Sequence, residues 1–324
     1  MKRLLFVFII FLQGCGENQA VKPENKLPEY TALVVAYAPE MEGVMRTIEA
    51  LPDASINKTE VKKGVTYYFG EYKGEPIVLF ATGMSIANAA MTMQMAFDYY
   101  PIKQVLYMGI AGAVNPELHP GDVVVAERWY YHDESVYVNP DPQNPGEYIP
   151  PTYYSEFLKK QDERRVLDPH IPNYEPFAFI HPDEVVVIKD GMSEPKDHAY
   201  FAASPRLLDA ARKAIEKMPP QAVSDERNAK LYVGGNGVTG SVFLDNREYR
   251  KWVRRVFNAE VTEMESAAVG QVAYVNDIDW VVIRAVSDLA GGQEGLNEED
   301  VYDKAASIVG AKVLFATIDE LVAQ

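Results

Sequence analysis

The chain has 324 residues, 48% of them apolar, which allows a sizeable core and excludes wholesale disorder. A formal charge of −16 argues against a nucleic-acid footprint, which needs a basic face, and against adhesion to anionic lipid. The single cysteine, Cys15, excludes an intrachain disulfide and any cysteine-based metal site.

Lys2 and Arg3 open the chain with positive charge, and residues 4–12 form an apolar run too short to span a bilayer. Leu12-Gln13-Gly14-Cys15 follows. This segment resembles the lipobox of bacterial lipoproteins, with Gln13 as its one departure. The resemblance implies a signal peptide over 1–14, lipidation of Cys15, and an exported protein touching the bacterial membrane only through that anchor, on the periplasmic or cell-surface side. Residues 15–28 then hold the lipidated cysteine and a polar, proline-containing tether, and 29–324 the folded domain.

Residues 31–37 are apolar and β-branched and read as a buried strand. Ala38-Pro39-Glu40-Met41-Glu42-Gly43 breaks it, and 44–51 reads as helix. Strands over 65–72 and 75–81 form a hairpin around Lys73-Gly74. A turn at 82–84 leads into a long helix over 85–99. A strand over 104–108 ends in Gly109-Ile110-Ala111-Gly112, and Gly121-Asp122 precedes another at 123–127. The segment 129–205 is dense in Pro, Tyr and charge and reads as an insertion, partly loop, over the edge or mouth of the core. Helices follow at 207–217, 248–257 and 263–275, with strands at 231–238 and 279–285. Asn297 caps a closing helix whose first turn carries Glu298, Glu299 and Asp300, where the helix dipole favours acids. Alternating strands and helices with short glycine turns mean an α/β sheet.

Two segments carry the most chemistry. Glu263-Met264-Glu265-Ser266-Ala267-Ala268 sets two carboxylates at the start of an Ala-rich, helix-favouring run. Val281-Val282-Ile283-Arg284-Ala285-Val286-Ser287-Asp288 is a strand that stops on Arg, Ser and Asp. A carboxylate at the C-terminal end of a strand points at the crevice where open α/β sheets bind ligands.

With these two, three further blocks occur in order: Ala38-Pro39-Glu40-Met41-Glu42; Ala81-Thr82-Gly83-Met84-Ser85 with Asn88-Ala89-Ala90; and Gly109-Ile110-Ala111-Gly112 with Gly121-Asp122-Val123. Together they resemble the nucleoside phosphorylase/nucleosidase superfamily, and most of all its methylthioadenosine/S-adenosylhomocysteine nucleosidases. The resemblance covers 31–133 and 230–324. It implies an α/β fold: a single three-layer α/β/α domain around a central twisted mixed sheet, with a long insertion. It implies hydrolysis of the N-glycosidic bond of a purine nucleoside, an adenine 5′-thio- or deoxynucleoside such as methylthioadenosine or S-adenosylhomocysteine, by a homodimer.

The resemblance also implies roles. Asp288 matches the acid that protonates purine N7 so that the base leaves neutral, with Ser287 beside it to hold the carboxyl. Such an acid needs a raised pKa. Glu42 matches the glutamate that activates water; Glu40, two residues away, is its competitor and otherwise a helix N-terminal acid. Glu265 matches the ribose holder, since an ionised carboxylate can accept from two hydroxyls. Met264 packs on the sugar and Glu263 lies close by. Arg284 is either near the ribose and the water-activating glutamate or part of a structural salt bridge. In Thr239-Gly240-Ser241-Val242-Phe243-Leu244, Phe243 stacks on the purine and the Leu244 backbone bonds its edge. Thr82 and Gly83 border the ribose or the water.

Phosphorylases of the superfamily need cations at the first strand and at the glycine block. This chain offers Glu40 and Glu42 at the first and no Arg at the second, which favours water over phosphate; Arg128 is the main competing feature. His119, His132, His170, His181 and His198 are scattered without ligand spacing, so no metal site is expected, and the chemistry needs no cofactor. Two other readings stay open: a phosphorylase, and a nucleoside-binding or storage protein, the latter suggested by Asp122 and Glu127-Arg128-Trp129.

Overall fold

In a computed structural model, Tyr30–Val35 forms β1 and is buried throughout. The structure describes residues 27–154, 177–223, 227–297 and 299–324. The expected signal segment, Cys15, most of the expected tether, His170 and residues 155–176 of the insertion lie outside the described residues. A strand buried on both faces sits inside a parallel arrangement. β1 accordingly pairs parallel with β4 (Glu75–Ala81) on one side and β5 (Ile102–Ala113) on the other. β2 (Ala54–Lys62) and β3 (Val65–Tyr72) extend that edge as antiparallel hairpins. The β3–β4 turn falls on Lys73 and Gly74, both at positive φ, as the sequence predicts.

On the other side of β1, β5 meets two partners. β18 (Asp279–Asp288) runs parallel along almost its whole length, and β17 (Ala259–Glu263) pairs antiparallel with its last residues. β17 continues to β16 (Asn236–Thr239), β7 (Arg128–Tyr131) and β14 (Phe201–Ala202). β6 (Val123–Val125) joins β18 to β15 (Leu231–Val233). Among the described residues this makes one mixed sheet of twelve strands. Its two faces are covered separately, which gives three layers. α2 (Ile86–Tyr99) and α5 (Ser266–Val275) cover one face through Ala89, Met93, Ala268 and Ala273. α1 (Ala38–Ala50), α3 (Pro205–Lys217) and α6 (Glu299–Val322) cover the other through Val44, Ile48, Leu207 and Leu314. α4 (Arg247–Phe257) closes a smaller core around Trp252 and Tyr130.

Four sequence expectations shift. Ala38-Pro39 begins α1 instead of breaking the chain, because Pro in the first turn lacks only an N–H that would be orphaned there. β5 runs on through Gly109 and Gly112. Glu263 ends a strand that the acidic, short stretch Ala259–Glu263 conceals. The main sheet claims Arg128–Tyr131 and Phe201–Ala202, so the described parts of the insertion that stand off the sheet are narrower than 129–205. They form small ribbons: β8 (Ser135–Tyr137) with β11 (Ile180–Pro182), β9 (Asn139–Pro140) with β10 (Tyr148–Ile149), and β12 (Val185–Val187) with β13 (Lys196–His198).

Candidate active site

The carboxyl ends of β1, β4, β16, β17 and β18 converge where β5 passes residues 110–112. The cleft there is lined by Tyr37, Glu40, Met84, Val242 to Leu244, Glu263 to Glu265, Arg284, Ser287 and Asp288, among others. Ligands of open α/β sheets bind at such ends.

Arg284 stands at the centre of one end of the cleft, 1% exposed. Its Nη2 donates to Glu263, to Ser266 Oγ (2.9 Å) and to Glu265 Oε2 (3.3 Å), and its Nη1 donates to Ile110 O (3.1 Å) and lies 3.9 Å from Glu40 Oε1. The guanidinium also lies over the Tyr107 ring, 4.9 Å from its centroid. Burial alone would pull its pKa down, but Glu263, Tyr107, Glu265 and Glu40 together hold it above its ordinary value. Gly109 makes this possible: a Cβ there would stand 2.0 Å from Arg284 Nη1 and 2.6 Å from Glu40 Oε1.

Glu40, not Glu42, faces the cleft, and this corrects the sequence expectation. Once α1 starts at Ala38, residues two apart point about 200° from each other. Glu40 folds back over the helix start, where its Oε2 accepts from Ala36 N (2.6 Å) and Tyr37 N (3.4 Å) and its Oε1 accepts from Ile110 N (2.8 Å). Burial raises its pKa, against the pull of Arg284 and these N–H groups. Glu42 points outward, its side chain 44% exposed and paired with Arg46.

Glu263 and Glu265 divide the work around Arg284. Glu263 is fully engaged: it accepts from Thr239 Oγ1, from Glu265 N (2.9 Å) and from Ser266 N (2.9 Å), and so ties β16 to the start of α5. Glu265 accepts from Ser85 N (2.7 Å) and from Arg284, which leaves lone pairs directed at the cleft. Burial and the neighbouring Glu263 push its pKa up to about 7, although Arg284 opposes the shift. Met264 lines the cleft between the two.

The other end belongs to Ser287 and Asp288. Strand alternation would send adjacent side chains to opposite faces. The register of β18 against β5 slips between Val286 and Asp288, however, and both side chains reach the cleft. Asp288 Oδ2 accepts from Ser287 Oγ (2.9 Å) and Oδ1 from Ala290 N (2.7 Å). Burial raises the Asp288 pKa despite both bonds. Gly112 gives this carboxylate its room, since a Cβ there would come within 2.9 Å of Oδ1. Arg284 and Asp288 are four positions apart, ~13 Å along a strand, so the cleft has two chemically distinct ends. Phe243, 59% exposed, and Val242 stand at its mouth, with Leu244 buried beneath.

Thr82 and Gly83 do not reach the cleft. Thr82 is buried behind it, its hydroxyl near Val35 O, Gly83 O and the Tyr107 hydroxyl. Gly83, at φ +80°, supplies the turn that carries Met84 to the cleft and Ser85 N to Glu265. Sequence reasoning missed Tyr37, Met84 and the Ser85 N–H. It underrated Glu40, for which Pro39 as a helix-start signal was the available clue. Arg128, the exposed first residue of β7, lies over the Tyr200 ring, outside the cleft lining. Asp122 is tied to Arg227 and to His119 N, and Trp129 is core.

The fold and this cleft place the chain in a known class: it belongs to the phosphorylase superfamily, whose profile matches residues 31–322. Within it, the chain is 27% identical over 260 residues to the 5′-methylthioadenosine/S-adenosylhomocysteine nucleosidase of Mycobacterium bovis, covering 78% of this chain and 85% of that one. It is 24% identical over 283 residues to the nucleosidase of the same name from Tolumonas auensis, covering 87% and 96%. Its fold is similar to the Colwellia psychrerythraea nucleosidase in complex with adenine (TM-score 0.63, 22% identity, 91% and 97% covered) and to the futalosine hydrolase of Helicobacter pylori (TM-score 0.62, 17% identity, 90% and 98% covered).

Two predictions follow from the geometry. Gly109→Ala should displace Arg284 and cost about 1–3 kcal/mol of stability in urea denaturation; an unchanged midpoint would contradict the placement of the guanidinium. Glu265 has a folded pKa of about 7 against an ordinary 4.5, so its contribution to stability is full below about pH 4.5 and lost as pH rises through about 7. Melting temperature should therefore fall less steeply with pH in Glu265→Gln than in the wild type. Equal slopes would show that Glu265 does not titrate there.

Proposed function

We propose that the chain hydrolyses the N-glycosidic bond of a purine nucleoside, an adenine 5′-thionucleoside of the methylthioadenosine type being the favoured substrate. One observation carries this reading. Four carboxylates, Glu40, Glu263, Glu265 and Asp288, line the cleft, and among the described residues its only cation, Arg284, is already committed to three of them. A phosphate entering this end would meet carboxylates at a cost of about 3 kcal/mol per charge pair at ~5 Å and an effective dielectric of ~20. Water meets no such barrier. Neither Arg250, whose Nε donates to Ala113 O, nor Arg128, which lies over the Tyr200 ring, is among the residues that line the cleft.

The chemistry divides between the two ends. A purine leaves most easily as a neutral base, and Asp288, whose burial favours the protonated form, donates to N7. Ser287 orients that carboxyl. At the other end, Glu265 accepts the ribose hydroxyls and Met264 packs against the sugar. Glu40 takes a proton from the water that attacks C1′. Its three backbone donors and Arg284 fix the carboxylate in place, and burial, which raises its pKa above the ordinary carboxylate value, strengthens it as a base. Positive charge developing on the ribose is stabilised by the surrounding acids, the preorganised electrostatic arrangement that such a transition state needs. Phe243 and Leu244 hold the base at the mouth. The names of the matched curated relatives support the substrate class.

The same reading extends to assembly and location. Two copies pair to complete the cleft mouth, which the exposed Met84, Met91 and Phe243 support. The chain is exported and held to a bacterial membrane by lipidated Cys15. That proposal rests on Lys2 to Cys15 alone, and no described helix is long and apolar enough to cross a membrane.

The test is adenine release from methylthioadenosine by wild type and variants. Glu40→Gln should lose about 100-fold or more in kcat, while Glu42→Gln stays near wild type. Asp288→Asn should lose most turnover and keep nucleoside affinity. Full activity in Glu40→Gln, or a larger loss in Glu42→Gln, would overturn the assignment. Tight nucleoside binding without turnover by the wild type would make this a binding protein.

A further inference from the structure

Beyond Gly240 the chain leaves the sheet to form the loop that bears Phe243 and Leu244, and the way it is held is distinctive. The N–H of Ser241 donates to Asp133 Oδ2 at 2.7 Å, across 108 positions of sequence. The residue before Asp133, His132, is fully buried, and its ring lies directly under Gly240: a Cβ on that glycine would stand 2.2 Å from His132 Nε2. The ring is itself fixed. His132 N donates to Thr239 O at 2.9 Å, and Nδ1 lies 3.1 Å from the Tyr249 hydroxyl of α4. On the loop's other side, Ser85 Oγ donates to Ser241 Oγ at 3.3 Å, and the N–H of the same Ser85 donates to Glu265. The insertion begins just here, since Asp183 N donates to Glu134 O at 2.9 Å where the first ribbon closes.

We propose that Asp133, seated on the buried His132, is a positioning residue that clasps the 240–244 loop and so sets Phe243 and Leu244 over the base end of the cleft. The role at the base rests on the function proposed above; the clasp itself rests on geometry alone. Asp133 touches neither reacting end of the cleft. Its loss acts on how often the loop is in place and leaves Glu40 and Asp288 as they were. An interaction of that kind contributes to binding of ground state and transition state alike, so it appears in KM and not in kcat. Only an acceptor oxygen is needed, and an asparagine carbonyl supplies one.

Two measurements on the full chain test this. In hydrogen–deuterium exchange without nucleoside, peptides spanning 239–245 should exchange about ten-fold faster in Asp133→Ala, as expected for loss of one hydrogen bond, and near the wild-type rate in Asp133→Asn. In turnover of methylthioadenosine, Asp133→Ala should raise KM about ten-fold with kcat within about two-fold of wild type, and Asp133→Asn should restore KM. Asp133 is exposed, so neither variant threatens folding. Unchanged loop exchange in Asp133→Ala, an Asn variant as defective as the Ala variant, or a fall in kcat at constant KM would each overturn the proposal. Because the exchange experiment uses no nucleoside, it decides the clasp independently. A wild type that releases no adenine yet shows the exchange pattern would remove the proposed function and leave the clasp standing.

Discussion

The buried guanidinium of Arg284 is the interaction on which the site depends. Three carboxylates, from the start of α1, the end of β17 and the start of α5, meet around it with almost no solvent contact. Without a cation at their centre, desolvation and mutual repulsion would force some of these acids to protonate or the cleft to open. With it they stay close together, and burial, which the shared arginine offsets only in part, leaves Glu40 and Glu265 with raised pKa values. Buried ion pairs of this kind add little net stability and demand good geometry. The geometry is supplied by a missing side chain, at Gly109 on the neighbouring strand.

The rest of the architecture delivers groups to that centre. β5 branches, pairing with β18 in parallel and β17 in antiparallel fashion, so acids from elements remote in sequence arrive together. The slip in β18 after Val286 then turns two consecutive side chains into the far end of the same cleft. One end is therefore a cluster of acids around a saturated arginine, and the other is a lone, buried carboxyl. An oxygen-rich neutral sugar fits the first and a base awaiting a proton fits the second. An anion fits neither.

Much of this was legible in the sequence, for physical reasons. Glu263, Glu265, Arg284 and Asp288 stand out because charged side chains interrupt or close apolar runs, and such residues are seldom buried without partners. The α/β class followed from strands and helices alternating with glycine turns, while the covering of both sheet faces came only from the family resemblance. What failed were features that local pattern does not encode. Pro39 reads as a breaker or as a helix start with equal ease, and only the second choice puts Glu40 inward and Glu42 outward. β2 carries an exposed, charged edge sequence and β17 is short and acidic, so neither shows a buried strand's apolar run. Thr82 and Gly83 sit at the right point in the chain, yet the positive φ of Gly83 hands the cleft to Met84 and the Ser85 N–H. The joint reach of Ser287 and Asp288 depends on a register slip between two strands, which no single-strand pattern reveals.

The central claim is that water, not phosphate, attacks the sugar in an acid-lined cleft. Phosphorus NMR of methylthioadenosine turnover in phosphate buffer tests it most directly. The account predicts that adenine and a free reducing sugar accumulate in equal amounts while inorganic phosphate remains the only phosphorus resonance. A growing sugar 1-phosphate signal matched to adenine release would contradict it.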